Sequence, residues 1–365
     1  MSAYYTYSES SSSDSESFSG NENTVDLSHQ SLDYNSFINV LEGYEKDKSK
    51  ENHVVPHTIN TLVLYQNQLV DVPPNVSIFK NLRVVDISSN RLKRLPDILL
   101  TFPLTTLIAK NNLLDNESLP KSFELVSTSL KNLNLSGNNL SHFPLQILEA
   151  KNLLFVYLGG NRIETIPKEI AALSRLQVLS MGGNILSEVH PSVGSLKDLK
   201  ALILSDNLLE SLPAAIASLR NLKTLQLHKN RLRTLPTEII SLKCLSELSL
   251  RDNPLVCSFV NDMTYNPPSL LEIAARTIKV HRVRYEARDL PYSLREYLNS
   301  AHHCVNPKCQ GVFFDNRVEH IKFVDFCGKY RVPLLQYLCS SKCIMNNSAI
   351  QHQGHADIMK KVLLG

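Results

Sequence analysis

The sequence predicts an α/β solenoid with a curved parallel sheet and a 23-residue period, followed by a helical segment and a small cysteine-rich, zinc-ribbon-like module. A row of asparagines runs from Asn67 to Asn253, spaced by 23, 22 and 26 residues and then five times by 23. Positions −5 and −3 before each asparagine are apolar, as Leu179 and Met181 are before Asn184. A proline often follows six residues after the asparagine. Together these observations indicate a leucine-rich-repeat solenoid.

Each repeat is expected to supply one short strand to the sheet. The two apolar side chains flank one outward position and point into the coil, as the alternation of side chains along a strand requires. The asparagine amide lies where the chain leaves the strand, and we expect it to satisfy buried backbone groups of neighbouring coils. The L-P-x-x-I pattern then returns the chain along the convex side. No coil buries its own core, so stability comes from stacking of neighbours.

The chain divides into six predicted segments. Residues 1–24 form an acidic serine tail with too few apolar residues for a core. Gln30 takes the asparagine position of a degenerate first repeat, which a helical cap follows. The segments after the tail are 25–58 (degenerate repeat and N-terminal cap), 59–258 (about nine repeats), 259–300 (helical segment), 301–345 (cysteine-rich module) and 346–365 (C-terminal tail).

Charge and composition exclude several classes of partner. The net charge is only +3, from 38 basic and 35 acidic side chains, so we expect no nucleic-acid partner. The sequence contains no run of roughly 18 apolar residues and no export signal, so we expect no membrane association. The seven cysteines should then stay reduced, which favours metal binding or simple burial over disulfides. We expect a cytoplasmic protein, although the sequence does not separate the cytosol from the nucleus.

The concave face of the sheet is the expected binding surface for another protein. Positions −4, −2 and −1 from each asparagine should lie there, and glycines cluster at these positions in the middle repeats. Glycine gives up packing and strand propensity, which favours close approach by another chain. The alternative is that glycine relieves crowding within the sheet. The candidate residues of this face are Tyr157, Gly159, Gly160, Gly182, Gly183, Asp206, His228 and Arg251.

The segment after the repeats contains a well-defined helix start. Ser269 can cap a helix, and Glu272 would complete a capping box three residues later. An apolar stripe follows at helical spacing. As an end cap of the solenoid, this stripe would pack beside Leu248 and Leu250 of the last repeat. As a binding surface, it would stay available to a partner. The stripe consists of Leu270, Ile273, Ala274 and Ile278.

Two motifs in this segment resemble those of ubiquitin-ligase receptors. The pattern S-L-x-x-x-A-x-x-x-I resembles the BC box, in which a leucine enters a pocket on elongin C, although that family usually has cysteine where Ala274 lies. The following DLPYSLREYL resembles a cullin box of the cullin-2 type, and its tail also resembles the cullin-5 type. The resemblance implies binding to elongin B/C and to a cullin, whereas the alternative is two ordinary capping helices. The cullin-like residues are Leu290, Pro291, Leu294, Tyr297 and Leu298.

Two cysteine pairs lie in the following module. Cys304 and Cys309 form C-x4-C, and Cys339 and Cys343 form C-x3-C about thirty residues later. Four thiolates in two close pairs can form the tetrahedral shell of a structural zinc ion. Either Cys327 or His303 is a substitute ligand, and the alternative is a set of reduced, buried cysteines.

The C-terminal segments also resemble one family of intracellular leucine-rich-repeat proteins. The matching segments are NPLVCSFVNDMTYNPPSLLEIAARTI, CVNPKCQGVFFD and HIKFVDFCGKYRVPLLQYLCSSKC, within a resemblance over roughly residues 57–365. This resemblance implies a repeat protein without enzymatic activity, and no nucleophile–base pair, phosphate loop or open metal site points to an enzyme. We therefore predict a substrate-recognition subunit of a cullin–elongin ubiquitin ligase. The alternative is a non-catalytic scaffold or adaptor in intracellular signalling.

Overall fold

The repeats form one parallel sheet of ten short strands, in the order of the chain. The computed structural model describes residues 23–46, 55–255, 268–286, 288–306, 309–326 and 330–345. Cys257, Cys327, most of the predicted acidic tail and the predicted C-terminal tail lie outside these residues. The strands are β1 (Thr24–Asp26), β2 (Thr61–Val63), β3 (Val84–Asp86), β4 (Thr106–Ile108), β5 (Asn132–Asn134), β6 (Phe155–Tyr157), β7 (Val178–Ser180), β8 (Ala201–Ile203), β9 (Thr224–Gln226) and β11 (Glu247–Ser249).

The predicted strand alternation and return path are both present. In β2 the central Leu62 is fully buried, while its two neighbours in the strand are half-buried on the opposite, concave face. Leu62 pairs in register with Val85 of the next strand, so the inward side chains stack from repeat to repeat. On the return path, Pro167 precedes a 3₁₀ helix, Lys168–Ala172, which buries Ile170. Pro167 is the N-cap of this helix and has an extended backbone, with φ −69° and ψ 152°, so it marks the point where the extended chain passes into the return segment.

The asparagine ladder holds neighbouring repeats together. The Oδ1 atom of Asn184 accepts the N–H of Ile163 at 2.9 Å, in the preceding repeat. Its Nδ2 group donates to the carbonyl oxygens of Leu158 at 3.0 Å and Met181 at 2.9 Å. One side chain thus satisfies backbone groups of two repeats. Equivalent bonds are made by Asn67, Asn90, Asn112, Asn138, Asn161, Asn207, Asn230 and Asn253.

The N-terminal end is closed by a degenerate repeat and a helix. Strand β1 pairs with β2, and the Asn67 side chain accepts the N–H of Leu32. Helix α1 (Tyr34–Lys46) follows and buries Phe37 and Leu41 in the core of the repeats. These side chains cover the end that the first full repeat would otherwise expose.

The C-terminal end is closed by a β-hairpin from the cysteine-rich module. Strands β14 (Val318–Phe326) and β15 (Tyr330–Leu338) pair antiparallel, and β15 also pairs in parallel with β10 (Leu235–Pro236) of a late repeat. Val332 and Leu334 are 2% and 1% exposed and belong to the core of the repeats. The end-cap interpretation of the stripe at Leu270 is wrong, because Leu270 is 86% exposed and the hairpin performs that role.

The helical segment and the cysteine-rich module share one small core. Helices α2 (Leu270–Val280) and α3 (Tyr292–Asn299) are followed by the short pair β12 (His302–His303) and β13 (Val312–Phe313), and α4 (Lys342–Met345) follows the hairpin. Because α2, α3 and the segment around β13 contribute to one apolar cluster, these elements form a single structural unit. Its buried members are Ala275, Leu298, Val312 and Phe314.

Candidate functional site

The four predicted cysteine ligands lie together in the structure. The sulfur atoms of Cys304, Cys309, Cys339 and Cys343 all lie within 4.8 Å of one another. The Sγ atoms of Cys309 and Cys339 are 3.5 Å apart, and those of Cys339 and Cys343 are 3.6 Å apart. Zinc–sulfur bonds of about 2.3 Å in a tetrahedron place the sulfurs about 3.8 Å apart. The observed cluster therefore fits a zinc ion, whereas these distances are too long for disulfides.

A tight loop shapes the first cysteine pair. The N–H of Cys304 donates to the carbonyl of Gly311 at 2.9 Å, and the N–H of Gly311 donates to the sulfur of Cys309 at 3.2 Å. A Cβ atom on Gly311 would lie 2.6 Å from the sulfur of Cys339. Only glycine fits this position without displacing a ligand. Gly311 was not among the predicted residues of the site, although a glycine two residues after a cysteine was the available signal.

Asn306 joins the two cysteine pairs. Its side chain is buried and donates from Nδ2 to the carbonyl of Cys343 at 3.0 Å. Its own carbonyl accepts the N–H of Cys309 at 2.9 Å. One residue thus fixes the distance between a ligand of the first pair and a ligand of the second.

In the absence of a cation, the environment of the cluster favours neutral thiols. Burial raises the pKa of the Cys339 thiol well above its ordinary value, and hydrogen bonds with Cys309 and Cys343 raise it further. Neutral thiols are therefore favoured in this site unless a cation compensates the thiolate charge, and a zinc ion would displace their protons. Of the two substitute ligands, His303 is exposed on β12 and is not part of the cluster, and Cys327 lies outside the described residues.

Helix α2 is attached to this module through Glu272. The predicted N-cap is present, because the Ser269 hydroxyl accepts the N–H of Glu272 at 3.1 Å. The second half of the predicted capping box, in which the Glu272 carboxylate would accept the N–H of Ser269, is wrong. The Glu272 carboxylate accepts the N–H groups of Phe314 at 3.2 Å and Asn316 at 2.9 Å, and Glu272 is only 2% exposed. The acidic side chain therefore serves a tertiary contact and not the local cap.

Arg276 completes this attachment. Its guanidinium pairs with Glu272 at 2.6 Å, one helical turn away. It also donates from Nη1 to the carbonyl of Cys339 at 2.8 Å and from Nη2 to the carbonyl of Asn316. Cys339 is one of the four candidate ligands, so α2 is hydrogen-bonded directly to the main chain of the cysteine cluster.

The elongin-like stripe lies mainly at the surface. Leu270 is highly exposed, Ile273 and Ala274 are exposed, and only Ile278 packs against the small core of the module. Leu271 beside them is also exposed. Because Glu272 and Ala275 attach the opposite side of α2, the stripe forms an apolar surface on a fixed helix.

The cullin-like residues separate into two groups. Leu298 is 2% exposed and belongs to the core of the module, and the Tyr297 ring stacks on Phe314 with centroids 4.7 Å apart. Burial, aided by a hydrogen bond to Asp315, raises the pKa of Tyr297 to about 12. Leu290 also packs against this core. The second group is Pro291, exposed at the start of α3, and Leu294, which is half-buried.

The concave glycines have structural explanations. Gly160 and Gly183 have φ of 64° and 66°, and the equivalent −1 residue is left-handed in every repeat from Gln66 to Asp252. Glycine adopts this conformation without strain. A Cβ on Gly159 would lie 3.0 Å from the carbonyl oxygen of Gly182 in the next repeat. Crowding between repeats therefore restricts the side chain at Gly159, whereas non-glycine residues such as Gln66 and Asp206 also adopt the positive φ of the −1 position. Both interpretations of the glycines stay predictions.

The other predicted residues of the concave face have side chains that could contact a partner. Tyr157 is half-buried, and Asp206 and Arg251 are exposed. His228 is half-buried and hydrogen-bonds the Ser249 hydroxyl through Nδ1 at 3.1 Å. These side chains lie on four different repeats, so a partner would have to span several strands to contact them all.

Comparisons with known proteins agree with the repeat fold. Two family models described as leucine-rich repeat match residues 197–255 and 129–150. A leucine-rich repeat-containing protein 58 from Xenopus laevis is 57% identical over 354 residues, which cover 94% of this chain and 97% of that protein. The protein of the same name from Homo sapiens is 62% identical over 305 residues, which cover 82% of each chain.

Solved structures share the fold at low sequence identity. The crystal structure of a TDR receptor is 24% identical, with a TM-score of 0.52, over 64% of this chain and 38% of that chain. The functional domain of InlJ from Listeria monocytogenes is 21% identical, with a TM-score of 0.50, over 64% of this chain and 45% of that chain. Within the described residues, none of the helices has the length and apolar character needed to cross a membrane.

Proposed function

Since the chain belongs to the family of leucine-rich repeat-containing protein 58, its repeats form a protein-interaction fold, and we propose that they recognise the substrate of a cullin–elongin ubiquitin ligase. In this role the concave face binds a protein substrate in the cytoplasm or nucleus. Residues 267–299 bind elongin B/C and a cullin, with the cullin-2 type favoured over the cullin-5 type. The protein itself is non-catalytic, and a zinc ion held by the four cysteines has a structural role.

The exposed leucine at the start of α2 is the observation that carries this proposal. Leu270 is 86% exposed, although moving a leucine side chain out of water is worth roughly 1.5–3 kcal/mol. The helix cannot turn to bury it, because Glu272 and Arg276 attach the opposite side of α2 to the module. A helix that holds a leucine in solvent suits a partner with an apolar pocket.

The cullin contact is restricted to the beginning of α3. Leu298 and Tyr297 pack within the module and are not available to a partner as long as its core is intact. Pro291 and Leu294 lie at the surface or near it. These two residues are therefore the cullin-binding pair in this proposal.

Affinity purification of the full chain tests the proposal. We expect wild-type protein to recover elongin B/C and a cullin in near-stoichiometric amounts. Leu270→Asp should abolish elongin binding, because an unpaired charge cannot enter an apolar pocket. Its melting temperature should stay unchanged, because the side chain is exposed. Leu125→Asp is the matched control, since Leu125 is a 74% exposed leucine on a repeat and should leave elongin binding intact.

A double variant separates the two contacts. Pro291→Ala with Leu294→Ala should retain elongin B/C and lose the cullin, because different helices carry the two surfaces. Failure to recover elongin with the wild-type chain, or its full recovery with Leu270→Asp, contradicts the ligase role.

A scaffold or signalling adaptor is the second candidate function. The packing of Leu298 and Tyr297 favours it, because these motif residues have a purely structural role in the module. In that case purification recovers partners through the concave face and neither elongin nor a cullin. Variants of Arg251 or Tyr157 would then reduce partner recovery, and Leu270→Asp would not.

A further inference from the structure

The cysteine cluster and the exposed face of α2 are connected by two charged side chains. Arg276 donates a hydrogen bond to the carbonyl of Cys339, whose sulfur belongs to the cluster. Glu272 accepts the N–H groups of Phe314 and Asn316, which follow the loop of the first cysteine pair. The salt bridge between Glu272 and Arg276 joins both contacts. The Glu272–Arg276 pair therefore bonds main-chain groups that follow the first cysteine pair and a main-chain group of the second pair.

These contacts are most of what attaches α2 to the described part of the chain. Ala275 is the only apolar side chain of the helix that is fully buried, and Ile278 packs at the edge of the same core. A methyl group buries little apolar surface. A helix of 11 residues is also marginal in water without tertiary contacts. The position of α2 therefore depends on the hydrogen bonds of Glu272 and Arg276.

The acceptors of these bonds depend in turn on the cluster. The carbonyl of Cys339 and the loop before Phe314 are fixed where four sulfur atoms lie within 4.8 Å of one another. A metal ion joins such ligands by covalent-strength bonds, and many small zinc modules lose their fold without the ion. Removal of the metal would thus leave the buried Glu272 and the partly buried Arg276 without fixed main-chain partners.

We infer that Glu272 and Arg276 are positioning residues that couple the cysteine cluster to α2, so that the face containing Leu270 is held for a partner only while the cluster contains zinc. This inference rests on the proposed function for the identity of the partner. The coupling itself concerns only the chain and its metal.

Hydrogen exchange of the full chain tests the coupling without any partner. Protein loaded with Zn²⁺ is compared with the same protein after EDTA treatment, and metal content is measured in both. Amide exchange in α2 should accelerate at least about tenfold on zinc removal. Amides of the central strands β5 to β7 should keep their protection, because the repeats have their own core. Equal protection of α2 in both samples overturns the inference, and so does a chain that binds no zinc.

Variants of the arginine test the route of the coupling. Arg276→Ala should still bind about one zinc ion per chain, because no ligand is changed. In this variant the amide hydrogens of α2 should exchange as fast as they do in the EDTA-treated protein. The recovery of elongin B/C should fall at least about tenfold. Arg276→Lys should give intermediate exchange rates in α2 and intermediate elongin B/C recovery, since lysine can donate to one of the carbonyl groups. Arg284→Ala, an exposed basic control eight residues later, should behave as wild type.

The two readouts separate this inference from the ligase role. If α2 responds to zinc and to Arg276→Ala while the wild-type chain recovers no elongin, the coupling stands and the ligase role fails. If elongin binds equally well with and without zinc, the coupling is overturned and the ligase role stands. The coupling is also overturned if the α2 amides of zinc-loaded Arg276→Ala exchange as slowly as those of the zinc-loaded wild-type protein.

Discussion

Each ladder asparagine accepts a buried backbone N–H of the preceding turn and shares its carbonyl acceptors with the asparagines of the adjacent turns. Asn184 is buried and contacts the N–H of Ile163 and two carbonyl oxygens in neighbouring turns. Because the site is shut off from water, loss of the amide leaves the N–H of Ile163 unsatisfied, while the two carbonyl oxygens keep their bonds from Asn161 and Asn207. The same geometry recurs in the other repeats, so the contribution of one asparagine can be compared with that of the next.

Replacement of Asn184 by Ala should lower the free energy of unfolding by roughly 1–3 kcal/mol, the cost of leaving one buried donor, the N–H of Ile163, unsatisfied. Chemical denaturation of the full chain measures this change. Asn139→Ala is the control, because Asn139 is an exposed asparagine directly after a ladder position. A loss of stability that is no larger for Asn184→Ala than for the control contradicts the assigned role.

The local sequence pattern predicted the positions of the repeat residues, but it predicted the wrong contact for the side chain of Glu272. The ladder asparagines, and the proximity of the four cysteines, were predicted correctly because both are encoded in spacing, whereas zinc binding by the cysteines stays a prediction. Glu272 has the spacing of a capping box, yet its carboxylate is used by Phe314 and Asn316, more than forty residues later. No periodicity in the sequence marks such a contact. The salt bridge to Arg276, one turn along α2, was the only part of this arrangement with a local signal.

Among the elements, the β14–β15 hairpin decides how the solenoid ends. The sequence pattern predicted a zinc-ribbon-like module here, and the capping role was expected, as an alternative, of the stripe of α2. The pairing of β15 with β10 could not be predicted, because it joins segments that share no repeat pattern. Val332 and Leu334 point into the core of the repeats, while the neighbouring Leu335 is half-buried.

The hairpin cap leads to a test with adjacent leucines. Leu334→Ala should destabilise the chain by about 2–5 kcal/mol, as for other fully buried leucines. Leu335→Ala should cost distinctly less, because its side chain is only half-buried. Equilibrium unfolding followed by circular dichroism compares the two variants. Equal losses would show that the hairpin does not close the core of the repeats.

At the scale of the whole molecule, two units of different chemistry are joined. The repeats are stabilised by apolar stacking and the asparagine ladder, whereas the C-terminal module has a small core and four clustered thiols. Small modules of this kind commonly need a metal ion to fold. The fold of the repeats could be predicted nearly completely, since each repeat restates the same local rules. The contacts that join the two units could not be predicted in this way.

We predict about one zinc ion per chain, bound by the four clustered cysteines. Elemental analysis of purified protein measures the ratio. Cys339→Ser should reduce zinc content strongly, whereas Cys244→Ser, at an exposed cysteine of the repeats, should not. Because bound zinc displaces protons from the thiols, the ion should be released as the pH falls. A folded C-terminal module without metal would contradict the prediction.

Closure of the solenoid by β15 also sets an order of events during synthesis. The segment that pairs with Leu235 leaves the ribosome ~100 residues later, which takes roughly 5–20 s at usual rates of translation. During that interval the nascent repeats lack Val332 and Leu334, and their last apolar layer faces solvent. A message that stops before residue 330 therefore yields a chain with a permanently open end. Such a chain offers chaperones and degradation machinery an apolar surface that the finished protein conceals.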